Sequence, residues 1–485
     1  MGKRWHVVIG LEVHAQLTTK TKLFSESSTL YGASPNDQAN YVDCALPGTL
    51  PVLNREAVHQ AIRFGLATHS EVQNRISFDR KNYYYPDLPK GYQITQHYRP
   101  ILQGGYVDIN VDGEAKRIHI HHSHLEEDAG KSNHDYSKTH TGIDLNRAGM
   151  PLLEIVSQPE MRSPQEAVAY IKALHKLIVF LEICDGNMQE GSMRVDVNVS
   201  IRESETAPFG TKVEIKNINS FKFVEKALNY EILRQAEILE SGGVIQQETR
   251  LFDEASGTTI FMRGKEDAHD YRYHKDPDIP YIDIDEATIE AIRQQMPESP
   301  SDKKQRYLDM YQLSDYDAGI ISQDKGFATL FDQIIALKTC TAKTLANWIL
   351  GPIAGAVNKT NCSLSQSKVG FKAVATLLSM IDDQTISNNN AKLVFEKMWD
   401  TGKDPQTIIR EEGLEEISDQ SIIQAMIDQV LSENPSQLEQ YKQGNGKLAG
   451  FFVGQVMKKG QGKVNPKIAN QMLQTTLKSL LDDKP

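Results

Sequence analysis

The chain has 485 residues, 39% hydrophobic and 24% charged, with a formal net charge of −11. That length exceeds what a single core organises, so two or three domains are expected, and no apolar run approaches the ~20 residues of a membrane span. Overall acidity argues against a general nucleic-acid binder, and four dispersed cysteines (Cys44, Cys184, Cys340, Cys362) without a C-x-x-C pair argue against disulfides or structural zinc, leaving buried thiols.

The opening "MGKRWHVVIGLEVHAQL" enters a strand pattern within ten residues and leaves no room for a leader peptide, so a cytoplasmic protein is expected. Val7, Ile9, Leu11, Val13, Ala15 and Leu17 alternate with Glu12, His14 and Gln16, which fixes an apolar side and a polar side. "DRKNYYYPDLPKGYQITQ" (79–96) sets Arg80, Lys81 and Lys90 among tyrosines and prolines, either a phosphate-cradling loop or an aromatic hairpin. In "RIHIHHSHLEED" the alternation sends Glu127 to one side and Glu126 with Asp128 to the other. "DLNRAGMPLLEIVS" (144–157) offers Asn146, Arg147 and Gly149 in a loop, then Glu154.

A helix follows from Ser163, with Pro164 at its first position and Glu166 completing a capping box. "SMRVDVNVSIR" alternates again: Met193, Val195, Val197, Val199 and Ile201 oppose Ser192, Arg194, Asp196, Asn198 and Ser200, and "KVEIK" adds Glu214. A second helix is predicted from Ser220 to Gly242-Gly243. Strands with a few helices and no regular βα alternation predict an α+β domain around an antiparallel sheet over residues 1–295. A linker at 296–304 leads into a helical domain (296–405) and a smaller helical tail (406–485). Within the tail, eight acids against Arg410 in residues 409–440 precede seven lysines without an acid in 441–480. That lysine segment suits a phosphate backbone or a solvated face.

A face carrying Glu, His, Asp, Asn and Gln is either the solvated side of an antiparallel sheet or a divalent-cation site. Converging carboxylates raise one another's pKa unless a cation neutralises them, and carboxylate-dominated ligation with one histidine suits Mg²⁺ or Mn²⁺. The sequence has no G-x-x-x-x-G-K-[ST], no kinase-like H-R-D and no G-x-S-x-G, so ammonia or acyl chemistry requires a partner protein.

Taken together, "IGLEVHAQL", "ALPGTLPVLN", "KNYYYPDLPKGYQITQ", "HLEEDAGKS", "DLNRAGMPLLEIVS", "MQEGSMRVDVNVS", "KVEIKNINSF", "QETRLFD", "MRGKEDAHDYRY" and "LAGFFVGQVMKKGQGKVNP" closely resemble the B-subunit family of bacterial aspartyl/glutamyl-tRNA amidotransferases. The resemblance implies a cradle-like catalytic domain, a helical domain and a tRNA-contacting tail. It also implies a heterotrimer with an amidase (glutaminase) partner and a small third subunit. The assembly would act on mischarged tRNA(Gln) or tRNA(Asn) with ATP and Mg²⁺, Mn²⁺ being possible. Carried over by motif, Glu12, His14, Glu126 and Glu127 are metal candidates, with Glu154, Glu190 and Glu214 nearby. Lys90, Lys131 and Arg147 become phosphate partners, and Asn146, Ser192 and Asn217 polar positioners; Lys458, Lys459 and Lys463 face nucleic acid. Catalytic roles fall to Glu12, His14, Glu127, Asn146, Arg147, Glu190, Ser192 and Asn217. Family members often carry paired cysteines around "ANYVDCALPG"; only Cys44 stands here, so no zinc is expected. His274-Lys275 also replaces the family's usual Phe and Pro after "DYRY". A metal-dependent phosphohydrolase or nuclease, and a tRNA-binding scaffold without chemistry, are the competing readings.

Overall fold

Strict alternation gives His6–Gln16 (β1) two chemically distinct sides, and the structure places this strand in the middle of a sheet. The computed structural model describes residues 5–264, 270–360, 362, 364–383, 385–414, 419–446, 448–460, 464 and 466–482. It divides into two units, Met1–Pro297 and Glu298–Pro485.

In the first unit, β1 is followed by β2 (Glu114–Glu127), β3 (Pro151–Ser157), α1 (Pro164–Phe180), β4 (Met193–Arg202), β5 (Val213–Ile218), α2 (Phe221–Glu240), β6 (Glu248–Asp253) and β7 (Thr258–Gly264). The strands line up as β7-β6-β5-β4-β1-β3-β2. Leu102–Gln103 and Glu71–Val72 continue beyond β2, and Tyr106–Val111 also pairs with it, giving a ten-stranded sheet among the described residues. Pairing is antiparallel as expected except between β5 and β6, which run parallel. The cause is α2: a helix between consecutive strands returns the chain to the end from which it left.

The apolar side of the sheet forms the core. Ile9, Leu11, Val13, Val195, Val197 and Ile155 pack in one cluster with Tyr170, Ile171 and Leu174 of α1 and Val224 and Leu228 of α2. Each such side chain contributes ~1.5 to 3 kcal/mol on burial, so this side carries the stability and leaves the other free for chemistry. Ser163 caps α1 by accepting from the Glu166 amide at 3.2 Å. The second arm of the predicted capping box is diverted: the Glu166 carboxylate accepts from the Arg162 amide and from Lys116 Nζ, both at 2.7 Å. Ser220 caps α2 through the Phe223 amide. Of the thiols expected to be buried, Cys184 is, because it joins this core; Cys44, Cys340 and Cys362 are half-buried in connecting segments.

The named elements of the second unit are all helical. One hydrophobic cluster draws on Tyr307, Phe331, Trp348 and Phe395 and extends to Ile408 and Ile409; another gathers Ile423, Ile427, Phe452, Val456, Leu473 and Leu477. Among the described residues, no helix is long and apolar enough to cross a membrane.

Candidate active site

Strand register aligns polar side chains in rows across the sheet. His124 of β2 lies opposite Glu154 of β3, Glu154 opposite His14 of β1, and His14 opposite Arg194 of β4. Two residues along, Glu12 lies opposite Asp196, and Asn198 of β4 opposite Glu214 of β5. Because successive side chains of a strand alternate faces, these rows share the face turned away from the helices.

The first row builds a quartet. His14 Nε2 is 3.3 Å from Glu154 Oε2 and 3.5 Å from Glu126 Oε1; His124 Nε2 is 3.3 Å from Glu154 Oε2 and 3.7 Å from Glu126 Oε2. Burial opposes charge on both rings, but Glu154 and Glu126 outweigh it and raise His14 to about 9 and His124 to about 10. Against its own burial, Glu154 is held well below the usual carboxylate range by the two imidazolium rings. Two carboxylates and two histidines therefore share the quartet. His122, stacked on His124 at 5.3 Å, goes the other way: burial and the neighbouring His124 and His121 push it down to about 4.

The second row is unbalanced. Glu12, Asp196 and Glu214 bring carboxylate oxygens within 4.8 Å of one another. Lys216 Nζ sits 2.6 Å from Asp196 Oδ2 and 3.1 Å from Glu214 Oε1, offsetting one of three negative charges. Glu12, which accepts from Asn198 Nδ2 at 2.9 Å, is raised by burial and then by Glu154, Glu214 and Asp196. His14, Glu126 and Glu154 likewise bring three donor atoms within that separation. Oxygen-only donors suit a hard divalent cation, whereas a histidine must first lose its proton to ligate one.

A cleft of about 530 Å³ is lined by Glu12, His124, Glu126 and Glu154 of the sheet face together with Lys81, His97 and Tyr273. Lys81 comes from the strand Asp79–Asn82, which pairs with Tyr92–Thr95 in the tyrosine-rich hairpin. Burial opposes its charge, yet Glu126 and Glu154 raise its pKa, and its ammonium stands 4.8 Å from the centre of the Tyr271 ring.

The three successive carboxylates of "HLEEDAGK" turn to three different sets of basic partners. Glu126 meets the histidines; Glu127, on the opposite face as the alternation predicts, is bound by Lys90 and by the Ile94 amide at 2.9 Å. Asp128 takes Arg194 at 2.7 Å and stands 3.5 Å from Arg147. Of the predicted residues, Glu12, His14, Glu126, Glu154 and Glu214 thus share the sheet face.

Others lie apart from these groups. Glu190 is exposed on the turn before β4, and Ser192 Oγ donates to Asp185 at 3.2 Å. Arg147 donates to the carbonyls of Ala129 and Gly130, while Asn146 accepts from the Gln38 amide at 2.8 Å and donates to the Ser34 carbonyl at 2.7 Å. Lys131 is exposed. Asn217, at φ +67° where β4 and β5 shift register, donates to the Phe252 carbonyl at 3.1 Å. In the second unit Lys458 is exposed, Lys459 bonds Glu433 at 2.5 Å, and Lys463 lies outside the described residues. Sequence reasoning passed over His124 and Lys216, and put Lys81 in a candidate phosphate loop and Asp196 on the polar face without making either a site residue. The signal for His124 was its position two residues before Glu126, and for Asp196 its place on the polar side of an alternating strand.

Comparison with known proteins places this geometry in context. Residues 7–290 match the GatB/GatE catalytic domain family and residues 329–477 the GatB domain family. The chain is 53% identical over 474 residues to the B subunit of the aspartyl/glutamyl-tRNA(Asn/Gln) amidotransferase of Thioalkalivibrio sulfidiphilus, covering 98% of this chain and 99% of that one. It is 54% identical over 475 residues to the protein of the same name from Hydrogenovibrio crunogenus, covering 98% and 100%. The Coxiella burnetii protein of that name is 51% identical over 475 residues, again covering 98% and 100%.

Proposed function

The chain belongs to the B-subunit family of aspartyl/glutamyl-tRNA(Asn/Gln) amidotransferases, and we propose that its sheet face activates the side-chain carboxylate of Glu-tRNA(Gln) or Asp-tRNA(Asn). It is one component of an aminoacyl-tRNA amidotransferase, a ligase of protein biosynthesis. The reaction runs in two steps. The substrate carboxylate oxygen attacks the terminal phosphorus of ATP, forming an acyl phosphate and releasing ADP. Ammonia then adds to the carbonyl carbon, phosphate leaves, and loss of a proton gives Gln-tRNA(Gln) or Asn-tRNA(Asn). The first step exchanges an oxide leaving group for phosphate, so catalysis consists of positioning and charge neutralisation.

The observation that supports this best is the pair of donor groups on one face. Three carboxylates with one lysine at bonding distance fit Mg²⁺, with Glu12, Asp196 and Glu214 as the residues that would hold it and His14, Glu126 and Glu154 as a second position that would release a proton when filled. Mg²⁺, or Mn²⁺ in its place, supplies positive charge to the phosphate oxygens of ATP. Lys81, lining the cleft, takes the phosphate-facing role that the resemblance gives to Lys90, Lys131 and Arg147, since Lys90 is engaged by Glu127 and Arg147 by backbone carbonyls. The remaining motif positions, Glu127, Asn146, Glu190, Ser192 and Asn217, are assigned supporting roles away from the metal position. Ammonia comes from a partner amidase, fastened by the small third member of the heterotrimer, in the cytoplasm. Lys458 meets tRNA phosphate, in line with the lysine-rich tail.

The test uses the assembled complex with [γ-³²P]ATP, Mg²⁺ and Glu-tRNA(Gln), without and then with an ammonia donor. Phosphate release that requires the charged tRNA, followed by Gln-tRNA formation and lost in Glu12→Ala, is expected. ATP turnover indifferent to charged tRNA makes the protein a phosphohydrolase instead; tRNA binding without turnover makes it a scaffold.

A further inference from the structure

Glu214 owes its orientation to a neighbour on the next strand. Glu214 and Thr249 are direct partners in the parallel β5–β6 ladder, and Thr249 Oγ1 donates to Glu214 Oε2 at 2.8 Å. Lys216 takes the other oxygen at 3.1 Å, so both oxygens of this carboxylate have fixed partners. Thr249 is itself buried. Directly after it, the β6–β7 pairing shifts register, the irregularity that re-aims a side chain beside a functional site.

The residues on either side of Thr249 are clamped to α2. Glu248 Oε1 accepts from Arg234 at 2.9 Å and from Arg250 at 2.8 Å. Arg250 donates to the Thr259 hydroxyl at 2.8 Å and to the Thr259 carbonyl at 2.7 Å, and the Thr259 hydroxyl donates to Glu231, a fully buried carboxylate, at 2.9 Å. This ionic network lies outside both donor groups and has no part in the chemistry described above. Its effect is to tie β6 to β7 and α2 on both sides of Thr249.

We propose that Thr249 is a positioning residue for the divalent cation: its hydroxyl holds the Glu214 carboxylate in the orientation that closes the group formed with Glu12 and Asp196. The inference rests on reading Glu214 as a cation holder. Partners that orient a ligand are worth roughly 10- to 100-fold in metal affinity. The hydroxyl, and not the bulk of the side chain, is the operative feature, so Thr249→Val removes the effect while keeping the volume, and Thr249→Ser restores it.

The experiment titrates the assembled complex with Mn²⁺ alone, without ATP or tRNA, following the electron paramagnetic resonance signal of free Mn²⁺. Thr249→Val is expected to weaken Mn²⁺ binding by roughly 10-fold, with Thr249→Ser within about two-fold of the unsubstituted protein. Glu214→Gln serves as the reference. If Glu214→Gln weakens binding and Thr249→Val does not, the positioning role is wrong while the cation site stands. If Glu214→Gln leaves binding unchanged, the cation reading fails and takes this inference with it. If Thr249→Ser is as weak as Thr249→Val, the hydroxyl is not what holds Glu214 and the inference is overturned.

Discussion

The two donor groups on the sheet face are built from similar residues and end in opposite electrostatic states. In the quartet, two histidines face two carboxylates, so a cation enters only as a proton leaves. Among Glu12, Asp196 and Glu214, three carboxylates are answered by Lys216 at bonding distance and by Arg263 from farther off, and negative charge is left over. A balanced group takes up a cation in exchange for a proton, whereas an unbalanced one takes it up directly. Acidic residues are therefore informative by their deficit of local cations and not by their number.

Mutation separates the two groups. Glu12→Ala is expected to lower amidation by roughly 10²- to 10³-fold, measured as Gln-tRNA formation, because transition-state charge loses its counter-ion. Its thermal stability stays level or rises, since removing one of three crowded carboxylates relieves repulsion. Glu154→Gln reverses the pattern on the stability side: two buried imidazolium rings lose their shared anion, and chemical unfolding is expected to show a loss of about 3 kcal/mol. A comparable loss for Glu12→Ala removes the distinction between the groups.

Cation titration sharpens the contrast. Mg²⁺ at 100 times its Kd for one position adds about 2.7 kcal/mol to the stability of the unsubstituted chain, and the gain from the Glu12, Asp196 and Glu214 position is expected to be lost in Glu12→Ala. The smallest effect serves as a control on the opposite side of the sheet. Ser163→Ala removes the α1 cap and costs about 1 kcal/mol in unfolding without moving the Mg²⁺ response. If the cap substitution does shift that response, the apolar and polar sides of the sheet are coupled and do not act independently.

Much of this was readable in order along the chain. Alternation in β1 and β4 assigned every polar residue to its face, and separated Glu127 from Glu126, because the two-residue period is a local property. Convergence was not readable, since it depends on register between strands far apart in sequence: nothing near Glu12 in the sequence announces Asp196 opposite it. Grouping Glu127 with the sheet-face donors by motif went against the alternation, and the structure follows the alternation. The parallel β5–β6 pair was hidden for a similar reason. The α2 signal was clear, but that it joins two neighbouring strands of one sheet is a tertiary fact.

The central place of β1 has a consequence for how the protein is made. The ribosome delivers this strand ahead of β3 and β4, which flank it in the finished sheet, and at ~5 to 20 residues per second it stays without both of them for roughly 10 to 40 seconds. During that interval a strongly alternating, apolar-sided strand emerges with both hydrogen-bonding edges open, the configuration most inclined to pair with another chain. Glu12 and His14 interrupt its apolar character on one side, so the residues that later hold the chemistry also keep the nascent strand soluble until its neighbours arrive.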